Sequence, residues 1–406
     1  MSGPDRGNGD RAWLRSGPLI GSDGGFGLGG GGGLGSRPRD HIDWPLFVCV
    51  ALIAALGVVN LYSATSVYFG ISPSISQIYI QQIYWLAIGG ALGALVASVD
   101  YRFIERFAYH LYSAGIFSLV LVSAVGSGIR GANRWIQVGP FTFQPSEFTK
   151  VCLVLAIAKF LHDDARNDAR RLRDLLVPGV LTAVPALLIA RQPDLGTALV
   201  HLLMFLSIVA VTRIKRSSIL KGIAAVGIGG WAILEFALPY QKARVTAFLN
   251  PSEDLSGAGY HAHHAKIAIG NGGVFGQGFM GGTQNQYRFL PDQYSDFPYP
   301  VFAEEWGFVG SLVLFTLYAF LVLWSIRIAA LARDRFGAIV AVGCGAMIFW
   351  HTIINIGMAS GMLPVVGMTL PLFSYGGSSV VSIMLAIALL MNVSMRRYAG
   401  FSSLSR

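Results

Sequence analysis

The sequence predicts an all-α polytopic membrane protein with about ten transmembrane helices. Three observations predict it. Hydrophobic residues make up 53% of the 406 residues and charged residues only 13%, against about 25% charged in soluble domains. Mean hydropathy is +0.56. Apolar runs of about 20 residues, the length that crosses a bilayer as a helix, recur along the chain with Lys and Arg between them.

Taken in order, residues 1–42 read as a polar, Gly-rich cytoplasmic tail; ten of the fifteen residues in 21–35 are glycine. No Lys-Ser/Thr pair and no strand–helix context follows, so this is a flexible leader rather than a phosphate loop. It also lacks the apolar segment of a signal peptide. Spans are placed near 43–63, 78–98, 108–125, 146–162, 175–191, 195–212, 222–239, 302–326, 338–357 and 376–395. Together they form a membrane domain over 43–398, and 399–406 is a second short tail. Residues 240–301, between spans seven and eight, make the one long loop, and its Tyr260–Asn271 stretch reads as an amphipathic helix at the interface. Cys49, Cys152 and Cys344 all lie in apolar runs, and their odd number gives no disulfide framework.

Orientation follows from Lys and Arg. With ten spans, 22 of the 30 cations gather on the side of the two termini, which is therefore cytoplasmic; the long loop then faces outward. The net charge of +9 comes from this punctuation of apolar runs, not from a basic polar face, which excludes a nucleic-acid partner. The eight cations left outside are Arg130, Arg134, Lys150, Arg191, Lys242, Arg244, Lys266 and Arg288. As a set they point to an anionic ligand at the outer membrane face.

Several segments could carry chemistry. Asp292, Asp296, Glu304 and Glu305 stand within 14 positions, in a chain with only 21 carboxylates, at the mouth of an apolar run. Each is either a solvated loop charge or a placed reactive group. Pro145 suits a first helical turn, which places Glu147 where the helix dipole favours an anion and Lys150 on the same face. Arg191-Gln192-Pro193-Asp194 breaks a long apolar stretch into two spans, with Asp194 either capping the next helix or orienting Arg191 or a substrate hydroxyl. His261, His263 and His264 invite a zinc reading, but no further ligand stands at metal spacing. The glycines from Gly270 to Gly282 either form a mobile loop or let backbone N–H groups approach a phosphate. Residues 355–379 are too apolar for free solvent and are expected to fold back into the outer leaflet, where their backbone must be shielded or line a cavity.

The motifs Gly-Ala-Asn-Arg-Trp-Ile (131–136), Gln-Pro-Ser-Glu-x-x-Lys (144–150), Gln-Pro-Asp-Leu-Gly-Thr (192–197), Ser-Asp-Phe (295–297), Ala-Glu-Glu (303–305) and Ser-Tyr-Gly-Gly-Ser (374–378) occur in that order. Together they resemble the SEDS family (shape, elongation, division and sporulation) over residues 42–398, and the sequence is more similar to its elongation branch than to its division branch. The resemblance implies a peptidoglycan glycosyltransferase of the bacterial inner membrane acting on lipid II at the outer face. It implies a class B penicillin-binding protein and the elongation machinery as partners, and Asp296 as the catalytic residue. Pro298 and Pro300 depart from the family pattern and are expected to delay the following helix and re-aim Asp296. His264 stands where many relatives have Gln. The partner is expected on the lipid faces of spans eight and nine, near Trp306, Trp324 and Trp350.

The chemistry needs a base for the attacking sugar hydroxyl and positive charge for the departing pyrophosphate. Unlike hydrolysis by two carboxyl groups, no proton need be given to this leaving group. Asp296 is then the base. Arg134, Lys150, Arg244 and Lys266 face the pyrophosphates, and Glu147, Gln192 and Asp194 order the polar network. Arg191, Lys242, His261 and Ser374 complete the substrate-binding set. No cofactor is assigned, and a divalent cation on the pyrophosphate stays open. A flippase for lipid II, a division-type paralogue and a non-catalytic scaffold for the penicillin-binding protein are the competing readings.

Overall fold

The computed structural model describes residues 42–125, 127–129, 132–139, 141–164, 170–212, 258–290 and 292–397, with positions 215, 218, 221, 222 and 248. Its helices are α1 (Trp44–Ser66), α2 (Pro73–Ser76), α3 (Ile78–Ser98), α4 (Tyr101–Arg106), α5 (Ala108–Val125), α6 (Pro145–Asp163), α7 (Leu176–Arg191), α8 (Leu195–Ala210), α9 (Ala258–Asn271), α10 (Thr283–Gln286), α11 (Pro298–Ala330), α12 (Arg335–Ala359) and α13 (Gly377–Arg396). Among the described residues six helical stretches are long and apolar enough to cross a membrane, and α5 and α8 add shorter apolar helices. The expected seventh span, the Gly-rich tail to residue 41 and the C-terminal tail lie outside the described residues.

Side-chain caps set the helix starts. Asp43 caps α1, accepting from Leu46 N at 3.4 Å, and Pro45 sits in the first turn. The same carboxylate accepts from Trp324 Nε1 at 3.0 Å and Ser394 Oγ at 2.5 Å, so one residue ties the start of α1 to the ends of α11 and α13. Asp334 caps α12 through Gly337 N at 2.8 Å and accepts from Tyr101 Oη at 2.7 Å. Burial and the Asp334 carboxylate push the Tyr101 phenol well above its usual range, which keeps it a donor. Small residues then set how closely helices approach. A Cβ on Gly89 of α3 would stand 3.0 Å from Met384 Cγ of α13, so these two helices meet almost backbone to side chain.

Two irregular segments position the site. The first is residues 360–376, between α12 and α13. Met368, Leu370, Leu372, Phe373 and Ser374 are buried there, and a Cβ on Gly57, midway along α1, would lie 2.8 Å from Leu372 O. The segment packs back among the helices. Its buried carbonyls take side-chain donors. Gln82 Nε2 serves Leu372 O (3.3 Å) and Ser374 O (3.1 Å), Tyr318 Oη serves Pro371 O (2.7 Å), and Asn355 Nδ2 serves Met368 O (2.5 Å).

The second is a break inside α11 at Gly307 (φ 64°, ψ −159°), a conformation open to glycine alone. A break exposes backbone groups that the helix would have paired. The 273–278 loop pairs them: Gln277 N donates to Glu304 O (2.9 Å) and Gly278 N to Glu305 O (3.1 Å), while Phe308 N and Val309 N donate to Gly273 O (2.9 Å) and Val274 O (3.1 Å). The glycine-dense segment is therefore a patch on a broken helix.

One expectation is corrected. Pro298 and Pro300 do not delay α11: the helix begins at Pro298, because a fixed φ and a missing N–H suit the first turn, where N–H groups have no intrahelical partner. Residues 127–143 form a three-stranded antiparallel sheet of β1 (Ser127–Ile129), β2 (Ala132–Val138) and β3 (Phe141–Phe143), with Ile136 opposite Phe143 and Gly139 at φ 59° in the turn. Trp324 and Trp350 direct their indole N–H inward, to Asp43 and to Ser207 Oγ (2.9 Å), and Trp306 is 40% exposed.

Candidate active site

Asp296 lies in a tight turn just before α11. Asp292 takes φ 49°, a left-handed conformation that Asp tolerates. Its carbonyl accepts from Ser295 N, Asp296 N and Phe297 N at 3.1–3.3 Å. The turn is clamped from three sides. Gln293 Nε2 donates to Ala64 O of α1 at 2.6 Å, Tyr375 N donates to Tyr294 O at 2.8 Å, and Asn355 Nδ2 of α12 donates to Asp296 O at 2.9 Å. The Asp296 carboxylate faces the folded-back segment: Oδ2 is 3.3 Å from where a Cβ on Gly367 would stand.

The neighbouring carboxylates are engaged differently. Glu304, fully buried, accepts from Gln284 N at 3.2 Å, Thr283 Oγ1 at 2.9 Å and Asn271 Nδ2 at 3.3 Å, which holds α9 and α10 together. Glu305, also buried, accepts a short hydrogen bond from Ser63 Oγ of α1. Of the four clustered carboxylates, Asp292 and Asp296 are partly open to solvent, whereas Glu304 and Glu305 are buried.

Glu147 and Lys150 pair as expected, Nζ to Oε1 at 2.8 Å, but the pair is sealed inside the protein; Lys150 is 0% exposed. Glu147 Oε2 also accepts from Ser382 Oγ of α13 at 3.2 Å. Lys150 Nζ also lies 2.7 Å from His351 Nε2. An ammonium only donates, so Nε2 accepts and Nδ1 carries the proton. Nδ1 stands 3.3 Å from Thr369 O, the acceptor that this tautomer requires.

On the other flank, Arg134 of β2 stacks over Trp135 at 4.5 Å and points Nη1 at Asp194 Oδ2, 3.6 Å away. Gln144 Nε2 reaches the same oxygen at 3.0 Å, while Asp194 Oδ1 caps α8 through Thr197 N at 3.2 Å. Asp194 caps the helix as expected, and the cation it faces is Arg134 rather than Arg191, which is exposed at the end of α7. Gln192 faces away from this network. Its Nε2 donates to Leu119 O and Ser123 Oγ of α5, both at 2.9 Å.

The helix expected at Tyr260–Asn271 is α9. His261 stacks on Phe297, next to Asp296, with centroids 5.9 Å apart and planes 4° apart. Lys266 is exposed, and its Nζ lies 2.5 Å from where a Cβ on Gly361 would stand, at the start of the folded-back segment. His264 meets Gln284 Oε1 at 2.8 Å and stacks on Phe289, so it supports α9 against the 284–289 turn. Ser374 closes a turn, its Oγ accepting from Leu370 N at 2.8 Å. Lys242 and Arg244 lie outside the described residues. Among the described residues no three His, Cys, Asp or Glu side chains converge as a metal site.

Sequence reasoning missed His351 and Asn355. The signal was present: two polar residues one helical turn apart inside an apolar run, where polar groups are costly and need partners.

The comparisons agree on one lineage. The family model described as "Cell cycle protein" (FtsW/RodA/SpoVE) matches residues 43–399. Peptidoglycan glycosyltransferase MrdB of Escherichia coli strain K12 is 37% identical over 360 residues, covering 88% of this chain and 94% of its own. A chain solved in work on the structural coordination of polymerization and crosslinking by a peptidoglycan synthase complex is 34% identical, with a TM-score of 0.75, over 88% of this chain and 98% of that one. Rod shape determining protein RodA of Thermus thermophilus is 32% identical, with a TM-score of 0.65 and the same coverage of both chains. The chain belongs to the FtsW/RodA/SpoVE family, the SEDS family of cell-wall proteins.

Proposed function

We propose that this protein polymerises lipid II into glycan strands at the outer face of the bacterial cytoplasmic membrane during cell elongation, with Asp296 as general base. The enzyme class is carried by the relatives: it is a peptidoglycan glycosyltransferase. In the proposed step, Asp296 takes the proton of a sugar hydroxyl on one lipid-linked disaccharide. That oxygen bonds to the anomeric carbon of the other substrate, and the bond from this carbon to the lipid pyrophosphate breaks. Arg134 and Lys266 flank the site with positive charge for the leaving group, and His261 and Ser374 shape its walls; Lys242 and Arg244, outside the described residues, complete the proposed substrate-binding set. Arg191 adds charge at the end of α7. Glu147 and Lys150 act from inside, because neither is open to a substrate.

The observation that carries this reading is the difference among the clustered carboxylates. Glu304 and Glu305 are buried in structural hydrogen bonds, whereas Asp296, partly open like Asp292, sits on a backbone clamped by α1, α12 and the 360–376 segment. The orientation proposed is ten spans with both termini cytoplasmic. Asp43, Trp324 and Ser394 then meet at the cytoplasmic end, and the Gly307 break and Asp296 stand toward the outside. A class B penicillin-binding protein is the proposed partner, in keeping with the synthase complex that the chain resembles.

Glycan synthesis from labelled lipid II, with a partner whose transpeptidase is blocked, tests this reading. Asp296→Asn is expected to insert normally and to lose about 10²–10⁴ in turnover, the range for a positioned base. Full turnover by this variant would remove Asp296 from the mechanism.

A further inference from the structure

We infer that His351 and Asn355 are positioning residues. They fix the Asp296 carboxylate by gripping residues 367–369 and couple it to the buried Glu147–Lys150 pair. This rests on Asp296 as the base. The two side chains lie four residues apart on α12, so they present one above the other on a single helix face. Both are fully buried.

Asn355 donates both protons of its amide nitrogen, one to Asp296 O at 2.9 Å and one to Met368 O at 2.5 Å. A single group thus joins the backbone of the base to the backbone of the folded-back segment. One turn earlier, His351 Nδ1 stands 3.3 Å from Thr369 O, the next carbonyl along. Its Nε2 accepts from Lys150, whose ammonium is held by Glu147. Successive carbonyls of residues 368 and 369 are therefore gripped by one helix face. The preceding residue, Gly367, is the part of that segment against Asp296 Oδ2, 3.3 Å from its Cβ position. Asp296 is held twice: by its own carbonyl, and by the wall its carboxylate faces. Thr369 Oγ1 adds a bond to Ser379 Oγ at 2.7 Å, which steadies the same segment against α13.

Removing the Asn355 amide takes its donor from both the Asp296 and the Met368 carbonyl. The base would then shift relative to the sugar hydroxyl, and misplacement by about 1 Å costs on the order of 100-fold in rate. Binding of the lipid and pyrophosphate, by groups elsewhere, would be unaffected.

The test uses the full chain with its penicillin-binding partner and labelled lipid II. Asn355→Ala is expected to lower kcat per folded enzyme by about 10- to 100-fold, with KM unchanged within about twofold. Added to Asp296→Asn, it is expected to cause no further loss, since both act through one group. His351→Gln, which offers an acceptor to Lys150 and a donor toward Thr369, is expected to keep kcat within about fivefold of wild type, and His351→Phe to lose at least about tenfold. A purely structural role predicts fewer folded molecules with normal kcat, and that result overturns the inference. So does equal activity of the two His351 variants, which decide the matter alone if Asn355→Ala fails to fold. If Asp296→Asn is inactive and Asn355→Ala retains full kcat, the inference fails while the base stands. Full turnover by Asp296→Asn instead removes the base assignment itself.

Discussion

Replacing Lys150 by Met tests what the buried ion pair does for the fold. The Lys150 ammonium is wholly enclosed and touches Glu147 at 2.8 Å and His351 at 2.7 Å. Met has nearly the same length, so the packing volume changes little. What is lost is the counter-charge to Glu147, which keeps only the Ser382 hydroxyl at 3.2 Å. Breaking one side of a buried pair costs about 3–5 kcal/mol, because an uncompensated charge is left behind. Unfolding entropy of about 2.1 cal/mol/K per residue, scaled to this chain, gives roughly 0.8 kcal/mol/K, so Tm should fall by about 4–6 °C. The double variant Glu147→Gln, Lys150→Met removes both charges and should recover at least half of that loss, since an apolar or neutral pair of similar volume is often as stable as the ionic one. The assay is thermal unfolding of the purified protein in nanodiscs, followed by tryptophan fluorescence. A single variant that melts within about 1 °C of wild type, or a double variant no more stable than the single, would refute the argument that charge compensation dominates.

Three further outcomes follow from backbone groups. Gly307→Ala forces a side chain into φ 64°, ψ −159°, against Gly276 N; it should cost at least about 1–3 kcal/mol, read as a lower Tm. Gln82→Leu keeps the bulk but leaves Leu372 O and Ser374 O without their donor, a loss of about 1–3 kcal/mol, with faster hydrogen exchange confined to 370–376. Gly57→Val places a side chain against Leu372 O and Phe373 Cα, each 2.8 Å from the Cβ position. It should displace the folded-back segment and lower glycan synthesis by more than about tenfold while insertion into the membrane is retained.

The helices were the legible part. Apolar runs of spanning length need only composition to be seen, and the caps at Asp43 and Asp194 stand where the sequence places polar residues before such runs. The Glu147–Lys150 pair was legible too, because three-residue spacing on a helix leaves little choice of partner. The sheet at 127–143 was not read, although Arg-Trp-Ile-Gln-Val-Gly-Pro-Phe-Thr-Phe alternates about a Gly-Pro turn; hydropathy windows suited to spans average that alternation away. The patch on Gly307 could not be read at all. It joins residues some thirty positions apart through backbone atoms, which carry no side-chain signature. The engagement of Gln192 with α5 is a similar case: a motif residue beside Asp194 looks like part of the same network until the helix turn sends it to the opposite face.

The arrangement explains why so few charges suffice. Backbone that is not helical is costly at membrane depth unless every polar group finds a partner. Here the folded-back segment, the Gly307 break and the turn carrying Asp296 lie on three different stretches of chain. Each takes hydrogen bonds from its neighbours: from Gln82, Tyr318, Asn355 and Gln293 on one hand, and from the 273–278 loop on the other. Such segments form a wall whose shape is set by helices but whose surface offers turns and exposed polar groups. One carboxylate fixed in that wall can be aimed at a sugar hydroxyl without a second acid, because the pyrophosphate departs unaided by a proton. The polar side chains inside the spans therefore serve mainly to hold irregular backbone still, and the reacting group proposed for the site is left at its edge, where a lipid-linked sugar can reach it.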